Sequence, residues 1–172
     1  KFFKANICNP EWNWYGLSST LKNIPELVKE FPKLPWKWGF EDNDESMSSI
    51  SNNKSITLDF IKWAIKNNKP LNFSVLSENK AVPLSFIIET LDTHPWDFFF
   101  LSFNPNITEE FVRETIDRDW RWGYLAYNPS ISAEFIWSHL YKFSRDDIYV
   151  NEEKNAMFGL SRNPSLTIEF VE

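Results

Sequence analysis

A single cysteine in 172 residues leaves no disulfide framework and no Cys-built zinc site. The two histidines, His94 and His139, have no Cys or His partner at ligand spacing, so each reads as a structural or surface residue. Cations are in the minority: 18 Lys and Arg face 24 Asp and Glu, for a net charge of −6 and a pI of 5.0. A nucleic-acid-binding surface needs clustered Lys and Arg to neutralise phosphates, and this balance argues against one. No apolar run reaches the roughly 18 residues that span a bilayer. The longest aromatic stretch, Trp96 to Phe103, is broken by Asp97. Phosphate loops, G-x-S-x-G and H-E-x-x-H are all missing, and no signal peptide is visible.

What is abundant is Trp (9), Phe (16) and Asn (17). Aromatics at that density need a deep core or a sticky surface, which argues against disorder. They are also periodic. The run Trp96-Asp97-Phe98-Phe99-Phe100-Leu101-Ser102-Phe103-Asn104-Pro105-Asn106-Ile107-Thr108-Glu109-Glu110-Phe111-Val112 returns in register at Trp120, ending in Ile131-Ser132-Ala133-Glu134-Phe135-Ile136. A third copy runs from Leu160-Ser161-Arg162-Asn163-Pro164 to Phe170-Val171, and looser copies lie upstream. Units start near residues 12, 36, 71, 96, 120 and 148, with 1–11 as the tail of a preceding unit. A fixed period of this size is the signature of a repeat array.

Each unit carries two helix starts. In its second half Thr57, Thr108, Ser132 and Thr167 stand where an N-cap hydroxyl accepts a backbone bond. The apolar residue before each cap and another five residues on have the spacing of a hydrophobic staple. An acid at the second helical position (Asp59, Glu110, Glu134, Glu169) complements the helix dipole. Apolar residues such as Phe60, Ile61 and Ile65 then form one buried stripe on a helix of about ten residues. In the first half Asn13, Asn72 and Asp97 cap a shorter helix that is 3₁₀ in part, whereas Lys37 and Arg121 are poor caps. Asn-Pro at 104–105, 128–129 and 163–164 ends that helix. Small residues follow each patterned apolar position (Ser18, Ser51, Ser77, Ser102, Ala126, Ser161), which predicts that a neighbouring helix approaches closely. A strand for the W-x-W segment is the competing reading, since Trp120 and Trp122 alternate.

The copies also differ. Pro83 replaces a capping Thr and Ile24-Pro25-Glu26 is shifted by one, which predicts later helix starts with proline in the first turn. Acidic and small inserts at 41–46 and 151–155 read as loops on one face. Both ends cut the same helix of the unit, so the chain is expected to be a piece of a longer array. The expected fold is all-α: a right-handed α-solenoid of short helical hairpins with about six repeats.

No residue stands out for chemistry. Cys8 occupies an apolar helix position and reads as core. Asp42-x-Asp44-x-Ser46 resembles a calcium loop only until Met47 replaces the turn glycine and Asn53 the bidentate Glu. Asp117, Asp119, Asp146 and Asp147 read as turn or surface carboxylates, and the Asn-x-Ser/Thr triplets at Asn53, Asn72 and Asn106 as accidents of an Asn-rich chain. Trp12, Trp36, Trp96 and Trp120 hold the staple position and read as core. Trp63 and Trp137 break the pattern at non-equivalent places, so they are the candidate partner contacts.

The stretch N-P-x-I-T-x-E-F-I, followed by an acid and W-x-W, resembles the 24-residue leucine-rich-repeat-variant family, which stacks an α-helix with a 3₁₀ helix into a superhelix. It is more similar still to tryptophan-rich repeat proteins of large DNA viruses, with the best-matching run from Pro95 to Val112. That resemblance implies a repeat protein without an assigned enzymatic role, and it carries over no functional residue. The expected function is a non-enzymatic scaffold for protein–protein interaction, with a protein partner and neither nucleic acid nor membrane. Catalytic, metal and cofactor sites are expected to be absent, and the location intracellular, in host cytoplasm or virion. The alternatives are a structural component of a viral particle or other assembly, and the targeting arm of an enzyme outside this fragment.

Overall fold

The computed structural model describes residues 2–7, 9–39, 49–139 and 157–167. Among these residues there are helices and no strand, which removes the strand reading of the W-x-W segment. In chain order the helices are α1 (Phe2–Ala5), α2 (Trp14–Thr20), α3 (Ile24–Glu30), α4 (Leu58–Lys66), α5 (Phe73–Glu78), α6 (Leu84–Thr90), α7 (Phe98–Leu101), α8 (Glu109–Glu114), α9 (Trp122–Leu125) and α10 (Ala133–Ser138). A 3₁₀ turn at Ile50–Asn52 and a helical turn at 157–160 complete the set. Two units are distinguished, Lys1–Val75 and Leu76–Glu172, with the boundary inside α5.

The caps explain why such short helices form at all, because an isolated helix of this length is marginal in water. Thr57, Thr108 and Ser132 accept from the backbone N–H of Phe60, Phe111 and Phe135 at 3.2, 3.3 and 3.1 Å. Asn13, Asn72 and Asp97 do the same for the first helices, accepting from Gly16, Val75 and Phe99 at 3.0, 3.0 and 2.9 Å. Thr167, Cys8 and both acidic inserts lie outside the described residues or have their helices there. The flanks of the first insert are tied together, since the Ile50 N–H donates to the Lys37 carbonyl at 2.7 Å.

Three local expectations need correction. The second helices are shorter than ten residues, from 6 in α8 and α10 to 9 in α4. Pro83 does not delay its helix: it is itself the extended N-cap residue, with φ −74° and ψ 150°, and α6 begins in register at Leu84. A proline's fixed φ suits an N-cap, and its missing N–H costs nothing there. At the other site Asn23 is the N-cap, so α3 starts earlier than expected, with Pro25 in its first turn.

Within each unit the copies are joined through two kinds of buried polar side chain. One is the small residue. The hydroxyls of Ser18 and Ser51 accept from the backbone N–H of Lys37 and Asn72 at 2.9 and 3.0 Å in the first unit. In the second, those of Ser77 and Ser102 accept from Asp97 and Arg121 at 3.0 Å. At Asn72, Asp97 and Arg121 the acceptor thus meets the residue just before the next first helix, a donor no intrahelical bond can serve. Ala126 lacks the hydroxyl, and there the approach is close: a Cβ built on Gly159 would lie 2.7 Å from the Ala126 Cβ.

The other is asparagine. Asn53 donates its amide to the carbonyls of Ser18 and Leu21 at 2.8 and 3.0 Å. Asn104 reaches Ser77 O at 2.7 Å, Asn128 reaches Asn104 O at 2.9 Å, and Asn163 reaches Ala126 O and Ile131 O at 3.0 and 2.9 Å. The Oδ1 of each asparagine accepts from the backbone N–H two residues on, at 2.8 to 3.0 Å. One buried side chain therefore shapes its own turn and satisfies a carbonyl of the preceding copy. The apolar core lies around these rungs, with Ile61, Leu101, Ile107, Leu125, Ile131 and Ile136 fully buried.

Asn104→Ala should lower unfolding free energy by about 1–3 kcal/mol, because it strands a buried carbonyl and a buried N–H together. Asn104→Asp at pH 7 should be no better, since it restores the turn but turns a carboxylate toward the Ser77 carbonyl. Urea denaturation of both variants checks this.

Candidate functional site

The staple tryptophans are structural, and their polar ends show how. Trp36 and Trp120 are buried, and their indole N–H groups donate to the carbonyls of Phe31 and Thr115 at 2.9 Å. Those residues are the C-caps of α3 and α8, so each indole satisfies a helix end. Trp96 donates instead to the Thr90 hydroxyl at 3.1 Å. The rings pack edge-on against the preceding copy, Trp36 on Trp14 at 5.2 Å and Trp120 on Phe98 at 4.9 Å. Trp12 is half-buried and donates to Asn6 O at 2.8 Å.

Trp63 and Trp137 fall in different units and play different parts. In the first unit the second Trp of the W-x-W segment, Trp38, stacks on Phe60 with centroids 6.1 Å apart, and Phe60 stacks on Trp63 at 5.5 Å. The Lys29 ammonium sits 5.2 Å above Trp63. The second unit repeats this column with other residues. Trp122 stacks on Phe135 at 6.0 Å, His139 lies 4.3 Å from Phe135 and 5.4 Å from Trp122, and the Arg113 guanidinium is 4.9 Å from Phe135. Lys29 and Arg113 each follow the buried valine of a second helix, Val28 or Val112, so they are equivalent. Trp63 thus extends a stack beyond Phe60, whereas His139 packs against both Phe135 and Trp122 in the other unit. Trp137 is 51 % exposed on α10, in keeping with a surface role.

Arg121, a poor cap, makes no side-chain capping bond to α9, and both it and Lys37 cover a ring. Lys37 lies 4.7 Å over Tyr15 and Arg121 lies 5.2 Å over Phe99, the same contact 22 residues apart in each unit. Around Phe99 the first-helix surface of the second unit is aromatic. Phe103 is 42 % exposed and sits 4.1 Å from Tyr124, while Phe99 is 5.8 Å from both. Tyr127 is 6.0 Å from Phe158, which is 51 % exposed and covered on one side by Arg162 at 4.4 Å. This surface was not among the sequence candidates.

Among the described residues the titratable groups serve in turns, helix ends and packing. Asp117 and Asp119 are exposed, as expected for turn carboxylates. The Nδ1 of His139 is 2.8 Å from the Phe135 carbonyl and that of His94 is 2.9 Å from the Thr93 hydroxyl, bonds that fix each ring to its own helix end. Burial at the end of α5 pushes the Glu78 carboxyl above the usual carboxylate range. Because the folded state holds that proton more tightly, its contribution to stability is full at low pH and is lost as pH rises through the raised value. Glu109 is used in packing: its carboxylate accepts from Arg113 at 2.9 Å and from the Ser132 hydroxyl at 2.7 Å, joining α8 to the start of α10. Asn53 is buried with its amide committed to two carbonyls, which places that triplet beyond a glycosylating enzyme. Among the described residues no cluster of three His, Cys, Asp or Glu could hold a metal ion, and no helix is long and apolar enough to cross a membrane.

Compared with protein-family models, curated proteins and solved structures, the chain matches none.

The two candidate tryptophans should separate on substitution. Trp63→Ala removes the outer leaf of a stack and should cost about 1–3 kcal/mol, whereas Trp137→Ala should stay within about 0.5 kcal/mol. Thermal melts of the two variants measure the difference.

Proposed function

We propose that the chain is a non-enzymatic repeat scaffold that binds another protein, built as a right-handed α-solenoid of about six short helical hairpins. The observation that carries this reading is the asparagine rung. Asn53, Asn104 and Asn163 donate to the carbonyl of the small residue one copy back, Ser18, Ser77 and Ala126, and Asn128 donates to the Asn104 carbonyl, so the same side chain reaches back each time. Bonds from one patterned residue to the copy before it are what nearest-neighbour stacking produces. The architecture occupies most of the buried polar groups: those among the described residues are all Ser or Asn, and the Asn rungs and four of the serines bond backbone of a neighbouring copy, the Ser49 hydroxyl being the exception without a partner.

The outer surface offers what a partner needs. Ile88, Phe103, Trp137, Met157 and Phe158 are large, apolar and exposed, and aromatics, Met and Arg are enriched where proteins dock.

Immobilised full chain should retain one protein from its native source in stoichiometric amount. Quantitative mass spectrometry of the eluate, against variants Trp137→Ala and Phe103→Ser of unchanged circular dichroism, checks the reading. Loss of that protein with either variant supports it. Retention of nothing stoichiometric, or turnover of a small molecule by the purified chain, would overturn it.

A further inference from the structure

We propose that the aromatic stripe on the first helices of the second unit is a docking surface for an extended acidic segment of another protein, one with an apolar side chain at about every third position. The proposal rests on the scaffold reading and names the face and the partner's chemistry. It begins with the way the stripe is generated. Phe103 and Tyr127 each stand two residues after a fully buried leucine, Leu101 or Leu125. They meet residues one or two before the leucine of the next copy, Phe103 touching Tyr124 and Tyr127 touching Phe158. The stripe therefore repeats with the helices rather than gathering at one spot. Packed helices lie about 8–10 Å apart, and an extended chain in the polyproline II form advances about 3.1 Å per residue and returns to the same face every third residue, so a peptide laid across them meets a new aromatic site with each third side chain.

Charge decides the rest of the peptide. Over residues 96–106, 120–130 and 157–165, the segments that carry the stripe, the cations are Arg121 and Arg162 and the one acid is Asp97. Asp97 is engaged as an N-cap by Phe99 and Phe100 N–H. Other carboxylates of this unit lie on the second helices and just after them, among them Glu109, Glu110, Glu114, Asp117 and Glu134, while Glu78 ends α5. In a chain of net charge −6 these three segments thus carry more cations than acids and set guanidinium groups over their rings. An acidic peptide gains the two cations and the rings together, while its backbone runs clear of the acidic side.

Single-stranded nucleic acid is the competing anion, since it too stacks on aromatics. Two features disfavour it. Two guanidinium groups neutralise few of the phosphates that a strand lays across three copies. The Phe103 and Tyr124 rings also lie against each other at 4.1 Å, which leaves no gap between them for a base.

Fluorescence polarisation with a labelled peptide of four Phe-Glu-Glu triplets tests this on the full chain. The peptide should bind, and Phe158→Ser and Arg162→Glu should each weaken it about tenfold or more. Ile88→Ser, an exposed apolar change on α6, should leave it unchanged. A peptide of identical composition with its phenylalanines adjacent should bind more weakly. Equal or tighter binding of the Phe-Lys-Lys counterpart or of oligouridine, or indifference to Phe158→Ser and Arg162→Glu, would overturn the proposal. If a native partner is retained equally well by those two variants, the stripe falls while the scaffold stands. If no partner is retained at all, the scaffold falls and the peptide data judge the stripe.

Discussion

A carbonyl at the end of a short helix buried in the core has nowhere to go. Each first helix ends after one or two turns, and the chain must bend where water does not reach the backbone. An unsatisfied group there costs about 1–3 kcal/mol, a large part of what a small domain has to spare. The asparagine amide answers this constraint at Asn53, Asn104, Asn128 and Asn163 by shaping the bend with its oxygen and closing the neighbour's carbonyl with its nitrogen. Glutamine is a methylene too long for the turn, aspartate offers no donor, and serine cannot do both jobs.

The other repeated features are further answers to the same problem of short helices with exposed ends. The serine after the patterned apolar position accepts the first N–H of the next copy, and the tryptophan indole closes the C-terminal carbonyl of the second helix behind it. These groups are bonded between copies as much as within one, so a copy's backbone is complete only beside another. With so many polar termini closed inside, aromatic side chains are left to decide what the outside does. That is why Lys37 and Arg121, which fail as caps, still recur: each covers a ring of the copy before.

Much of this was legible in the residues. The cap positions, the all-helical class and the core location of Trp36, Trp96 and Trp120 followed from spacing alone, because capping and stapling are local and fixed in register. The rung was not. Asn-Pro marked it only as a helix stop, yet Asn53 works before a lysine, because the donor bond is made to residues more than thirty positions earlier. Spacing likewise suggested that serine was needed for its size, when its hydroxyl matters as well. Trp63 looked irregular because the residue that packs on the equivalent Phe135 in the other unit is a histidine one position further along, a contact that only ring geometry reveals. Pro83 was expected within the first turn of a later helix, because proline is common at the first helical position, while its φ is also one an N-cap adopts. The aromatic stripe did leave a signal, the aromatic two places after Leu101 and Leu125, but it read as part of a generally aromatic pattern.

Hydrogen exchange of the asparagine side-chain amides, followed by NMR on the full chain, reaches the central claim directly. The Nδ2 protons of Asn53, Asn104, Asn128 and Asn163 should exchange as slowly as backbone amides of the core, and far more slowly than those of exposed Asn67. Exchange of these four at the rate of Asn67 would mean that the rungs do not hold the copies together, and the account would fail with them.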